Sequence, residues 1–339
     1  MKTKLIGLTA AFLSVGFLSN AVWAWDEEGH IIVTRLAHQK LPERMPEWVR
    51  SSQVVERLAY LSGEPDRWRG QKNVDLDHTN NPDHYFDAED LTDFGLTLKT
   101  LPPLEREFTD LLATARAQHP DRFKPYDKQA DHDYTRLVPG LLPYHIAELQ
   151  WKLASSWTTL KTYETNRSLC SDGMIDNARQ NIIYEMGILS HFVGDGSQPL
   201  HMTKHHHGWV GENPKGYTTD KKFHSEIDGG VIALHHIDAA SLAGRAKSPR
   251  AVSKEHYFSD ICDYLGETLA QVEPLYELEH SGELHKAGGK KFIEDRLIEG
   301  GSMLAGVWAT AYDSAVIDEF RVKQLQRNGK KHEALGDSR

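Results

Sequence analysis

Apolar residues recur at helical spacing along most of the chain. Ile32, Val33, Leu36 and Ala37 form one stripe, and Val54, Val55, Leu58 and Leu61 form another. The same period predicts helices over about 104–117, 143–163, 176–194, 253–276 and 290–320. No segment alternates convincingly with period two, so the expected fold class is all-α. Polar connections containing Pro or Gly separate the helices at about 63–83, 119–141, 196–230 and 277–289. Connections longer than about 15 residues are uncommon in compact domains and usually carry function. With no internal repeat and no dividing linker, the pattern predicts one domain over 25–325 and a polar tail, 326–339, that frays.

The one long apolar run opens the chain. Lys2 and Lys4 precede Leu5–Val22, and the stretch closes on Val22-Trp23-Ala24. A basic start, a short apolar centre and a small residue at the end predict a secretory signal over 1–24, cleaved near Ala24–Trp25. The mature chain would then be secreted or periplasmic, with no transmembrane segment. Across 339 residues the mean hydropathy is -0.54 and 26% of residues are charged, which excludes an integral membrane protein. Eight Trp, 12 Tyr and 11 Phe are too many for a disordered chain.

Removing the leader's two lysines takes the formal charge from -10 to about -12. Such a surface repels polyanions unless a local positive centre reverses the field. Export permits Cys170 and Cys262 to pair across a loop of about 92 residues, worth up to roughly 4 kcal/mol; two buried free thiols are the alternative.

The chain holds no Gly-rich loop ending in Gly-Lys-Ser/Thr, no Gly-x-Ser-x-Gly and no His-Glu-x-x-His. It offers histidine and aspartate at short intervals instead. His191 and Asp195 stand four apart, one helical turn, and His201 follows; His224 and Asp228 repeat the spacing. Imidazole and carboxylate are metal ligands, and two such pairs with a linking His suggest more than one ion. Each pair alone would more often be a solvated or internally satisfied pair. A chain beginning at Trp25 would add a free amine and carbonyl able to chelate, with His30 close behind in Trp25-Asp26-Glu27-Glu28-Gly29-His30.

These blocks resemble, in order, the family that unites the S1/P1 nucleases with the bacterial zinc-dependent phospholipases C. The matching pieces are Trp25 and His30, Asp66 in Glu64-Pro65-Asp66-Arg67-Trp68-Arg69, and His84 in Asp83-His84-Tyr85-Phe86-Asp87. They continue with His191, Asp195 and His201 in HFVGDGSQPLH, and with His224 and Asp228. The resemblance implies a single-domain multi-helix fold around a trinuclear zinc cleft, with three Zn²⁺ per chain. Asp66, His84, His191 and Asp195 would hold one ion. The Trp25 amine and carbonyl, His30 and a shared Asp195 would hold the second, and His201, His224 and Asp228 the third. Three dications against three carboxylates leave a local charge of about +3 for a phosphodiester.

The resemblance further implies an endonuclease that cleaves single-stranded DNA or RNA, or nucleotides, to 5'-phosphate products. Asp66 would orient the attacking water and Arg69 would bind the equatorial oxygens, with Arg67 as the other candidate cation. Tyr85 would stack on a base and Asp87 would accept hydrogen bonds from its edge. The 23-residue interval from His201 to His224, Asp rather than Glu at 228, and Gly29-His30 resemble the nuclease branch. Two departures keep other readings open. Asp26 replaces a family glycine, and Gly208-Trp209-Val210-Gly211-Glu212-Asn213 replaces the Gly-Gly-Asn of the nucleoside pocket, so that Trp209 or Tyr217 would supply an apolar wall. A phospholipase C acting on phosphatidylcholine-like lipids and a metal-binding protein without turnover are the alternatives. No obligate protein partner is inferred. His205–His207, His132, His235, His236 and His38 read as structural or accessory residues. Base preference, pH optimum and oligomeric state have no signature in the chain.

Overall fold

The computed structural model describes residues 25–123 and 126–336, with side chains up to residue 328. The leader over 1–24 and its cleavage point lie outside the described residues. The helices are α1 (Glu27–Gln39), α2 (Ser52–Leu61), α3 (Glu64–Arg69), α4 (Val74–Asn80), α5 (Glu105–Gln118), α6 (Leu142–Thr165) and α7 (Asp172–Asp195). They continue with α8 (Phe223–Ser225), α9 (Val231–His235), α10 (Ala239–Leu242), α11 (Tyr257–Leu269), α12 (Val272–His280), α13 (Ala287–Asp313) and α14 (Glu319–Gly336). No strand forms among the described residues. One isolated antiparallel bridge, Phe86 to Gly140, ties two loops together.

The all-α expectation therefore holds, and the helix α7 organises the rest. It packs against α6, α2, α1 and α13, while α1 and α6 also lie on α13. Every residue from Met186 to Asp195 is buried. Ile188, Leu189, Phe192 and Val193 each contribute about 1.5–3 kcal/mol by leaving water. A helix end apolar on all sides leaves its polar residues no solvent, so each must find a partner inside. Ser190 does so by donating to the Gly187 carbonyl at 2.6 Å. His191 and Asp195 find theirs in the centre described below. One contiguous set of buried apolar side chains runs from Trp25 to Ala315.

Several expected boundaries change. The connection at 63–83 contains α3, α4 and a 3-10 turn at Asn81–His84. Helices of one or two turns are too short to show a periodic stripe, and local capping carries them: Pro65 opens α3, while Asn73 accepts from the N–H groups of Asp75 and Leu76 at 3.0 and 3.1 Å. The single helix expected over 253–276 is two, α11 and α12. The break at Ala270–Gln271 re-aims the apolar side, so that α12 buries Val272, Leu275 and Tyr276. Where fraying was expected from 326, the backbone continues as α14 to Gly336. The disulfide is not formed. Cys170 lies half-buried between α6 and α7, and Cys262 is buried in α11; both are free thiols. Burial pushes the Cys262 thiol up to about 12. Among the described residues no helix is long and apolar enough to cross a membrane.

Candidate metal centre

Six local structures deliver the donors. α1 carries His30, α3 carries Asp66, and the turn at Asn81–His84 carries His84. The end of α7 supplies His191 and Asp195, and the 3-10 turn Pro199–His201 supplies His201. Between α8 and α9 the helix widens into a π segment, Glu226–Gly230, which holds Asp228 one turn beyond His224. Such π insertions are frequent at functional sites because they displace a side chain without ending the helix. Two glycines let side chains of other elements approach the backbone here. A Cβ on Gly194 would lie 2.8 Å from His30 Nδ1, and one on Gly229 would collide with the Asp26 carboxylate.

The donors form three groups, each with its ligand atoms within 4.8 Å of one another: His30, Asp66 and His191; His84, His191 and Asp195; and His201, His224 and Asp228. All eight side chains are buried. The first two groups share His191, so five residues form one continuous cluster. Asp195 faces both ways within it: Oδ1 lies 3.4 Å from His30 Nε2, and Oδ2 lies 3.1 Å from His84 Nδ1 and 3.4 Å from His191 Nε2. Asp66 Oδ1 stands 3.8 Å from His191 Nε2. In the third group His201 Nε2 and His224 Nε2 are 3.1 Å apart, and Asp228 Oδ2 is 3.3 Å from His224 Nε2. Two ligands about 2.1 Å from one tetrahedral ion are separated by about 3.4 Å, so these spacings fit metal coordination.

The hydrogen-bond inventory makes the same point. His191 Nδ1 lies 2.6 Å from the Ser62 carbonyl, and His201 Nδ1 lies 2.5 Å from the His84 carbonyl. A carbonyl only accepts, so both rings carry the proton on Nδ1 and turn a bare Nε2 lone pair into the centre. There, His191 Nε2 meets His84 Nδ1 at 3.0 Å. His30 Nε2, Asp195 Oδ1 and Asp228 Oδ2 have no hydrogen-bond partner. Buried, unpartnered acceptors converging on one another are costly, and a cation placed between them removes that cost. These groups can hold metal ions.

Burial governs the charge states. It pulls His30 and His201 down to about 3 and holds His84, His191 and His224 well below the ordinary imidazole range. It lifts Asp66 to about 7, against the opposing pull of Arg69, and holds Asp195 and Asp228 well above the usual carboxylate range. Imidazoles are thus kept as neutral donors, while Asp195 and Asp228, unlike Asp66 beside Arg69, touch no cationic side chain. Gln198 Nε2 donates to Asp228 Oδ1 at 2.6 Å and fixes its orientation.

Trp25 is wholly buried. Its indole Nε1 donates to the Gly194 carbonyl and to Ser197 Oγ, both at 3.0 Å, on either side of Asp195 in the chain. The next residue's N–H, Asp26, donates to the Asp228 carbonyl at 3.2 Å. The side chain thereby pins the residue 25 backbone beside the donors.

Above the donors opens a cleft of about 500 Å³, lined in part by Arg69, Tyr85, Asp87, Thr135, Arg136 and His206. Arg69 reaches it, with Nη1 3.5 Å from Asp66 Oδ1 and Nε donating to Asn81 Oδ1 at 3.2 Å. Arg67 turns away to Glu27, Glu64 and the Tyr60 carbonyl. Tyr85 and Asp87 both line the cleft. Trp209 and Tyr217 do not line it. Trp209 stacks on His205 at 3.9 Å, and Tyr217 packs 5.3 Å from Tyr276, an aromatic cluster that absorbs the expected apolar wall.

Sequence reasoning passed over His206 and His207, which line the cleft with His224. His206 Nδ1 stands 3.7 Å from Asp87 Oδ1, and despite burial the Asp87 contact raises it. Their adjacency to His201 was the available signal. Asn81, Thr135 and Arg136 were also missed, since nothing local marks a polar loop residue as part of a distant site. Asp131 serves that loop structurally, accepting from the N–H groups of Thr135 and Arg136 at 2.9 and 3.2 Å. Comparison with known proteins adds no name to this centre: no family model matches the chain, and no curated protein matches it.

Proposed function

We propose that this protein is an exported zinc-dependent phosphodiesterase of the S1/P1 type, hydrolysing single-stranded nucleic acid to 5'-phosphate products. The observation that carries the reading is the convergence of three buried His/Asp groups beneath a cleft that also receives Arg69. The donor set is nitrogen and oxygen only, which suits zinc among the divalent ions that imidazole favours. Three zincs account for the donors, with the Trp25 amine and carbonyl completing the His30 group once residue 25 is the first. Bound zinc would lower the pKa of water toward neutrality and neutralise the phosphate's charge.

The chain's own residues supply the remaining steps. Asp66, at the edge of the donor cluster and 3.5 Å from Arg69, orients the attacking water and takes its proton. Arg69, held by Asn81, binds an equatorial phosphate oxygen as charge builds on it. Tyr85 offers a face for a base, and Asp87 an acceptor for its edge. Val138 and Leu200 are the aliphatic side chains of the lining, too few to seat acyl chains. That favours nucleotides over phosphatidylcholine.

The test uses chain beginning at Trp25, its metal content measured first, with single-stranded DNA, RNA and phosphatidylcholine as parallel substrates. Nucleic acid should be cleaved. Turnover of lipid alone refutes the nuclease reading, and no turnover at full metal content points to a binding protein.

A further inference from the structure

One aromatic surface lies outside the donor centre. Tyr134 is 54% exposed and Tyr126 41% exposed, and their rings meet edge to face at 5.1 Å. The ring of His78 stands 6.5 Å from Tyr134. Two large exposed aromatics touching each other rather than the core are unusual, because burial of either would stabilise the fold.

The loop holds this arrangement under strain. Tyr134 has φ of 60°, in the left-handed region that a bulky side chain rarely adopts. Neighbouring contacts enforce it. His78 Nδ1 lies 2.7 Å from the Asp133 carbonyl, and Asp131 accepts from the next two N–H groups. Tyr126 Oη donates to the Asp131 carbonyl at 3.3 Å, leaving its ring outside.

The surface also connects to the cleft. Thr135 and Arg136, the residues following Tyr134, line it. Two residues of chain span at most about 7 Å, roughly one nucleotide step of an extended strand. Asp133 Oδ2 accepts from Asn81 at 3.2 Å, and Asn81 in turn holds Arg69. The strained loop is therefore braced against the arginine of the site.

We infer that Tyr134, flanked by Tyr126, is an outer stacking platform for a base of the single-stranded substrate, one or two nucleotides beyond the one held at Tyr85, with exposed Arg136 between them for the intervening phosphate. This rests on the nuclease reading above and deepens it: the substrate is an oligonucleotide, not a mononucleotide. The carboxylates nearby point into the loop rather than toward the rings: Asp131 is turned inward onto backbone N–H groups and Asp133 is engaged by Asn81 and Thr135.

The test substitutes Tyr134→Asn, because asparagine tolerates positive φ and keeps the loop's backbone, and Tyr134→Phe, which keeps the ring. Base stacking on an aromatic side chain is worth enough to change affinity about tenfold. Binding of a non-cleavable phosphorothioate oligothymidylate, read by fluorescence anisotropy on the metal-loaded mature protein, should weaken about tenfold in Tyr134→Asn and stay level in Tyr134→Phe. KM for single-stranded DNA should rise likewise at constant kcat, and hydrolysis of bis(p-nitrophenyl) phosphate should not change. Unaltered oligonucleotide affinity in Tyr134→Asn, or an equal loss toward the small diester, overturns the platform while leaving the nuclease reading intact. Failure of the unsubstituted protein to bind or cleave any oligonucleotide overturns both.

Discussion

Asp66→Asn separates the energetic cost of the donor centre from its use. Burial lifts the Asp66 carboxyl from its ordinary 3.8 to about 7. Without metal, the folded chain keeps this proton over the interval in which the unfolded chain has lost it, so stability falls as pH rises from 3.8 through about 7. About three pKa units at about 1.4 kcal/mol each give a loss of about 4 kcal/mol. Asparagine carries no charge at either end of the interval. Its amide N–H faces the bare Nε2 of His191, an interaction that does not vary with pH because burial keeps that ring neutral. The difference between the two proteins should therefore shift by about 4 kcal/mol between about pH 4 and pH 8 in favour of the variant. Urea unfolding after exhaustive chelation measures this shift, and elemental analysis after reloading should find less metal in the variant. An unfolding difference that does not vary with pH, or an unchanged metal count, would refute the assignment of Asp66 as a buried ligand strained by its own charge.

Three further outcomes follow from the same geometry. Chain carrying one extra residue before Trp25 should bind less metal than chain beginning at Trp25, because the indole pins residue 25 beside the donors and its amine would be consumed in a peptide bond; equal stoichiometry counts against the amine. Gly194→Ala puts a methyl group 2.8 Å from His30 Nδ1 and should cost about 1–3 kcal/mol of stability along with metal. An unmoved urea midpoint would show that α1 and α7 have slack between them. Arg69→Ala should lower kcat on single-stranded DNA by on the order of a hundredfold, whereas Arg67→Ala, whose guanidinium is committed to Glu27, Glu64 and Tyr60, should leave kcat nearly level. Similar losses in both would remove the distinction between them.

Much of the centre was legible because its geometry is local. His191 and Asp195, like His224 and Asp228, face one another through a single helical turn, so spacing alone proposes them. The long helices were equally readable, since a stripe repeated over several turns outweighs individual residues. Short helices such as α3 and α4 were not, because capping rather than periodicity makes them. Pairing of Cys170 with Cys262 was a matter of count, and count carries no distance; the fold leaves both thiols free.

The amino-acid order by itself determined the helical class, the apolar helix around His191 and the one-turn pairs His191/Asp195 and His224/Asp228, whereas Asp66 and His84 entered only through the family resemblance. Those properties depend on contacts within a few residues, which the chain geometry imposes before any folding. Tertiary packing alone decided that Asp195 turns one oxygen toward His30 and the other toward His84 and His191. It also decided that Arg69 enters the cleft while Arg67 leaves it, and that Trp209 and Tyr217 are taken up by Tyr276 and His205. Each of these outcomes depends on the direction in which a side chain leaves its own element toward one distant in sequence, and that meeting is a property of the assembled core.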